Sequence, residues 1–231
     1  MKYDGNIKGL ILGCSISAGT HKLDPSNPLG EVVDNQIGWY NFLGISNLVV
    51  YSFPGGGYLN YATLLDKIEY ITFDYILLQE SFEPRFLLTN NDDFDFSKAN
   101  DIDHYTLKDS CKTISIRSAK ETMELTIPRT DNQLSFSRFA VAYLSSINKP
   151  CAMFHCRRDT KQFNYGNIKV LDIKPSIDEV IYKNPDYHNE MYMELGPWQQ
   201  GGQIIGHPTL EGNKAIGELV SKPLQEWLKT I

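Results

Sequence analysis

The chain has 231 residues, a length typical of one large domain or at most two, and 42% of them are hydrophobic and 22% charged, as in ordinary folded proteins. Its formal net charge of −6 and its scattered basic residues argue against a nucleic-acid-binding protein. The longest apolar runs fall far short of the ~20 residues that cross a bilayer, and the N-terminal segment lacks the apolar region of a signal peptide. We therefore expect a soluble, cytoplasmic protein with no membrane span and no nucleic-acid partner.

The cysteines of the chain form no recognisable redox or metal-binding pattern. They are Cys14, Cys111, Cys151 and Cys156, with no CxxC pair among them. The segment that begins at Cys151, Cys-Ala-Met-Phe, is apolar, which is typical of buried and reduced thiols. We therefore predict no metal site, no cofactor and no disulfide framework.

Segments typical of strands alternate along the chain with segments typical of helices. Strands are predicted at residues 8–12, 47–53, 75–79, 151–155 and 168–173. A helix is predicted to begin at residues 38–43, others to cover residues 58–73 and 135–147, and a last helix to follow Pro208, with a kink at Pro223. Residues 20–35 are rich in Pro, Asp and Asn and predict a loop.

This alternation indicates the architecture of the protein. Parallel strands need crossover connections, so the order of elements predicts an α/β fold with a mostly parallel five-stranded sheet that is covered on both faces. Ligands in such folds bind beyond the carboxyl ends of the strands. Ser15, the glycines at 55–57 and the segment after Gln79 are therefore expected on one rim of the sheet.

One segment interrupts the alternation of strands and helices. Residues 86–132 include an acidic stretch and are too long for a simple connection between two elements. We interpret them as an insertion in a single domain that spans residues 1–231. The alternatives are a solvated acidic loop, a lid, or a surface for a partner.

Two residues are candidates for nucleophilic catalysis. The predicted strand at 8–12 runs directly into a small, turn-prone segment that contains Ser15. A serine becomes a nucleophile when a base removes its proton and oriented donors stabilise the oxyanion. His207 lies just before the last helix and is expected to reach the same rim. Taken alone, Ser15 is typical of a turn residue, and His207 of a helix cap or a core residue.

Together, however, blocks along nearly the whole chain resemble the SGNH, or GDSL-type, hydrolases in order and spacing. The block at 13–19 is similar to the family's Gly-Asp-Ser-x-x-x-Gly, with Cys14 in place of the aspartate. The other similar blocks are residues 38–43 (GWYNFL), 52–56 (SFPGG), 73–79 (FDYILLQ) and 207–213 (HPTLEGN).

The resemblance implies a flavodoxin-like three-layer α/β/α sandwich that hydrolyses esters, often acetyl groups on sugars or acyl chains on lipids. It implies that Ser15 is the nucleophile and His207 the base, with backbone N–H groups of Ser15 and of Gly55 or Gly56 as oxyanion donors. The position of Cys14 points away from the substrate in this family, so Cys14 is not expected to be the nucleophile. The binding partner would be a small-molecule or glycan ester.

The sequence departs from the family pattern at two positions. Glu83 takes the place of the asparagine that donates to the oxyanion; an ionised carboxylate cannot donate, whereas nearby Arg85 could supply positive charge. Ile204 takes the place of the aspartate that orients the histidine, so a backbone carbonyl or another carboxylate must hold His207. Three hypotheses follow: a serine esterase, an O-acyltransferase of the same chemistry, or a non-catalytic protein that binds a glycan or another partner.

Overall fold

The computed structural model describes residues 7–24, 27–35, 37–53, 57–80, 105–107, 111–115, 131–156, 165–181, 183–188, 192–193, 203–204 and 207–231. The strands in this part of the chain are β1 Gly9–Cys14, β2 Thr20–Asp24, β3 Asn27–Asn35, β4 Leu48–Phe53, β5 Tyr75–Gln79, β6 Tyr105–Leu107, β7 Cys111–Ser115, β8 Cys151–Phe154, β9 Lys169–Val170, β10 Tyr192–Met193 and β11 Gln203–Ile204. The α-helices are α1 Tyr58–Lys67, α2 Asp131–Ser146, α3 Ile177–Ile181 and α4 Leu210–Leu228. Short 3-10 helices occur at Ser15–Ala18, Trp39–Phe42, Tyr70–Thr72 and Pro185–Tyr187.

The main sheet confirms the predicted α/β fold. Its strand order is β6-β7-β4-β1-β5-β8-β9, and every neighbouring pair except β6 and β7 is parallel. The five predicted strands are β1, β4, β5, β8 and β9, and they form a continuous, fully parallel part of the sheet. Numbered in chain order, these five follow the sequence 2-1-3-4-5, which is the flavodoxin-like order.

Helices cover both faces of this sheet and bury its apolar side chains. On one face, α1 and α2 pack against Leu10 and Leu12 of β1 through Tyr61, Leu64 and Leu144, among other residues. On the other face, α4 contributes the buried side chains Ile216, Val220, Leu224 and Trp227. The predicted spacing of apolar residues in the last helix is thus its buried stripe, and the protein has the three layers that were predicted.

Some predicted boundaries differ from the observed ones. Residues 20–35, predicted as a loop, form an antiparallel hairpin of β2 and β3. The register of this strand pair is irregular between Leu23 and Asp24, and Pro28 lies outside the regular pairing. The residues that predicted a loop therefore interrupt the pairing of β2 and β3 but do not prevent it. The helix predicted at 58–73 ends at Lys67 and is followed by a 3-10 turn.

Parts of the predicted insertion at 86–132 extend the main sheet. β7 pairs in parallel with β4, and β6 pairs with β7 at the edge, so the sheet has two strands more than predicted. The rest of this segment up to residue 130 lies outside the described residues, and its role as a lid, a loop or a partner surface stays a prediction. None of the described helices combines the length and the hydropathy that a membrane crossing requires.

The core buries neutral titratable groups, which predicts a loss of stability at alkaline pH. Burial raises the pKa of the Cys151 thiol to about 12, and it raises the pKa values of Cys156 and Tyr61 well above their ordinary values. Above about pH 9 the unfolded chain therefore loses protons that the folded chain keeps. The free energy of unfolding, measured by urea titration, is expected to hold below about pH 9 and to fall as the pH rises further. A constant value across this range would contradict the burial of these groups.

Candidate functional site

The candidate site lies at the carboxyl ends of the parallel strands, where the strand order reverses. After β1 the chain adds β4 on one side of β1 and later adds β5 on the other side. In this architecture the crevice outside the strand ends at such a switch point is the usual ligand site. The first residues beyond β1, β5 and β8 are Ser15, Glu80 and His155. These three positions therefore border the crevice.

Ser15 opens a tight turn directly after β1, as the sequence predicted. The turn is the 3-10 helix Ser15–Ala18, and it ends at Gly19, whose φ of 122° is rarely adopted by residues with a side chain. The first N–H groups of a helical turn have no acceptor within the turn itself. The backbone thus places Ser15 at the end of β1, as the first residue of a helical turn.

The side chain of Gln79, the last residue of β5, forms hydrogen bonds to this turn. Its Oε1 accepts hydrogen bonds from the backbone N–H of Cys14, at 3.3 Å, and from the hydroxyl of Ser17. Its Nε2 donates to the Sγ of Cys156, at 3.2 Å. Gln79 and Ser17 are both fully buried. One carboxamide therefore connects the turn after β1 to the end of β8, and it fixes the backbone on which Ser15 sits.

A tryptophan and a glycine complete the support of the turn. The Nε1–H of Trp39 donates to the Oγ of Ser17, at 3.0 Å, so the block at 38–43 contacts the block at 13–19 directly. A Cβ atom on Gly13 would press on Ser17 and lie 2.7 Å from Oε1 of Gln79. Glycine is therefore needed two residues before Ser15, because the supporting side chains fill the space beside it.

The segment that contains His207 is connected to the Ser15 turn through Asn213. Asn213 is fully buried near the start of α4, and its Nδ2 lies 3.4 Å from the carbonyl oxygen of Gly19 and 3.1 Å from that of Thr209. The same Nδ2 lies 3.4 Å from the carbonyl oxygen of Pro208, the residue after His207. Asn213 thus joins the end of the Ser15 turn to the backbone beside His207. The sequence analysis predicted that His207 reaches the same rim as Ser15.

The variant Asn213→Asp tests this connection. It would put a buried carboxylate among carbonyl oxygens, and burial together with repulsion should hold the pKa of the introduced carboxyl above its value in the unfolded chain. Relative to the unmodified protein, stability should be largely retained near pH 4 and reduced by about 3 kcal/mol near pH 7. Urea unfolding at both pH values measures this difference.

The matched control for this variant is Asn167→Asp, at an exposed asparagine whose Nδ2 contacts one carbonyl oxygen. It should change stability by less than about 1 kcal/mol at either pH. An equal effect of the two substitutions would show that Asn213 does not hold the two segments together.

The remaining predicted site residues are not placed by the structure. Gly55, Gly56, Glu83 and Arg85 lie outside the described residues, so their roles stay predictions. Ile204, at the position of the missing aspartate, pairs with Tyr192 in the hairpin of β10 and β11. Cys14 is buried in the core beneath the turn, and the expectation that it is not the nucleophile stays a prediction.

The sequence analysis missed an acid–base pair at the rim, in which Glu80 is buried and His155 is partly buried. Glu80 and His155 follow β5 and β8 directly, and the Nδ1 of His155 contacts Oε2 of Glu80. The hydroxyl of Tyr58, in α1, donates to Oε1 of the same carboxylate, at 3.1 Å. Each residue follows an apolar strand, YILLQ and CAMF, and that signal could have identified both.

Two further observations concern metal binding and similarity to known proteins. In the described part of the chain, no group of three or more His, Cys, Asp or Glu side chains is placed to hold a metal ion. A scan against protein-family models and a search of curated proteins each found no match to this chain.

Proposed function

We propose that the protein is a serine esterase, similar to the SGNH hydrolases, that removes a small acyl group such as acetyl from a carbohydrate ester. Ser15 is the nucleophile and His207 is the base that accepts its proton. The observation that supports this most is the connection through Asn213, which joins the turn opened by Ser15 to the backbone beside His207. A serine and a histidine far apart in sequence are thereby tied to the same rim.

The proposed reaction has two steps. In the first, Oγ of Ser15 attacks the ester carbonyl while its proton passes to His207, and the departing alcohol takes that proton as the bond to it breaks. In the second, a hydroxyl attacks the resulting acyl-serine and releases the acyl group. With water as the acceptor the protein is an esterase; with a sugar hydroxyl it is an acyltransferase.

The oxyanion formed in each step requires donors. The backbone N–H of Ser15 is one, since it lies at the start of a helical turn, and the N–H of Gly55 or Gly56 is the second. Glu83 cannot donate as a carboxylate, and in this proposal Arg85 supplies positive charge in place of the missing asparagine. Losing one oxyanion donor typically costs about 10²–10³ in rate, so activity without that asparagine would be slow but measurable.

A burst experiment tests this proposal. The protein is mixed with an aryl acetate, and release of the phenol is followed on the timescale of the first turnover. We expect a burst of one equivalent, with the acetyl group found on the peptide that contains Ser15 after acid quenching. His207→Ala should abolish the burst. Turnover without a burst and without an acetylated peptide would contradict the serine mechanism, and no turnover at all in a folded sample would favour the glycan- or partner-binding hypothesis instead.

A further inference from the structure

Glu80 and His155 form a carboxylate–imidazole pair at the edge of the crevice. Glu80 has a side-chain exposure of 5%, while His155 has 19%. Because a carboxylate only accepts hydrogen bonds, the proton in their contact belongs to Nδ1 of His155. In the neutral ring that donates through Nδ1, Nε2 is the nitrogen that can accept a proton. Nε2 has no hydrogen-bond partner among the described residues.

The surroundings of the pair keep it in one orientation. The second oxygen of Glu80 is held by the hydroxyl of Tyr58, and the backbone N–H of Glu80 donates to the carbonyl oxygen of Phe154, at 3.0 Å. The ring of Tyr165 lies against the imidazole of His155, with 5.6 Å between the ring centroids. Burial and the charge of Glu80 both raise the pKa of Tyr58 well above its ordinary value, so Tyr58 remains a donor at neutral pH. An imidazole oriented by a buried carboxylate, with its other nitrogen open, is the arrangement of a general base.

The register of the sheet relates this pair to Ser15. Leu12 of β1 lies opposite Leu78 of β5, and Gln79 lies opposite Phe154 of β8. Continued beyond the strand ends, this register places His155 two strands away from Ser15, on the order of 10 Å between backbones. At that separation the backbones of Ser15 and His155 border the same crevice.

We propose that His155, oriented by Glu80, is the base that activates the acceptor hydroxyl in the second step. The inference rests on the acyl chemistry proposed for Ser15. As the hydroxyl oxygen bonds to the acyl carbon, its proton passes to Nε2 of His155. The bond between the acyl carbon and Oγ of Ser15 then breaks, and Oγ takes up this proton, which restores both residues. His207 serves the first step and His155 the second.

Separate measurement of the two steps tests this assignment. In His155→Gln, the burst of phenol should keep an amplitude of one equivalent, while the steady-state rate after the burst should fall about 10²–10⁴-fold. Imidazole added to His155→Ala should restore part of the steady-state rate, a rescue that a merely structural residue would not allow. Glu80→Gln, which preserves shape, should show a smaller loss in the same step. The matched control is Asp74→Asn at the opposite end of β5, where Oδ2 accepts from the backbone N–H of Lys8.

The outcomes distinguish the two proposals. No burst in the unmodified protein would overturn the serine mechanism and with it this assignment. A normal burst together with an unchanged steady-state rate in folded His155→Gln would overturn the role of His155 alone. If the His155 variants do not fold, Glu80→Gln decides: a slower second step with an intact burst supports the assignment, and equal slowing of both steps contradicts it.

Discussion

Replacing Ser15 by alanine is expected to reduce ester turnover by at least about 10⁴-fold and to leave the fold intact. The size of the loss follows from the proposed mechanism, because without Oγ no acyl-enzyme can form and only the surrounding donors act on the substrate. Burst amplitude and steady-state turnover of an aryl acetate measure the loss. The urea midpoint of the variant should stay close to that of the unmodified protein.

The control for this prediction is Ser146→Ala, near the end of α2, where the hydroxyl donates to the carbonyl oxygen of Tyr143 at an exposed position. The same atoms are removed there, away from the rim, and turnover should not change. Turnover in Ser15→Ala comparable to that of Ser146→Ala would remove Ser15 from the mechanism.

The second large effect is expected for Gln79→Leu, which should lower the free energy of unfolding by about 2–4 kcal/mol. Leucine is similar in size but cannot accept hydrogen bonds, so the N–H of Cys14 and the hydroxyl of Ser17 would lose their shared acceptor in a buried environment. Each buried donor left unpaired costs about 1–3 kcal/mol, and the apolar side chain offsets part of that cost. Urea unfolding measures the change.

The same substitution should also slow acylation, because the turn that presents Ser15 would lose its support. Gln225→Leu is the matched control: Gln225 in α4 donates to the carbonyl oxygen of Leu43 at a half-buried position away from the rim. It should lower stability by about 1 kcal/mol and leave the burst rate unchanged. A Gln79→Leu variant as stable and as reactive as this control would show that the buried carboxamide does not organise the site.

The sequence predicted most of the fold because its central strands are short, apolar and separated by turn residues. β1 and β5 are buried along their whole length, and such strands are typical of a parallel sheet covered on both faces. The buried apolar face of α4 was equally predictable from the sequence, because its apolar residues recur with helical spacing. β6, β7 and the hairpin of β2 and β3 were missed because their residues are mostly polar and their pairing depends on partners distant in sequence or on an irregular register.

The candidate site was predictable to a smaller extent. The positions of Ser15 and His207 beside strand and helix ends followed from local sequence together with the family resemblance. The support of the turn by Gln79 and Trp39, and the meeting of Glu80 with His155, depend on the order of strands in the sheet. A single sequence does not contain that order explicitly, so only the folded chain shows that these residues meet.

Covalent labelling with a fluorophosphonate probe tests the central claim most directly. The unmodified protein and Ser15→Ala would be exposed to the probe, and the adduct located by peptide mass spectrometry, with folding verified by circular dichroism. The serine mechanism predicts stoichiometric labelling of the peptide that contains Ser15 and no adduct in the variant. A folded, unmodified protein that stays unlabelled, or that is labelled equally in both forms, would contradict an activated serine at the end of β1.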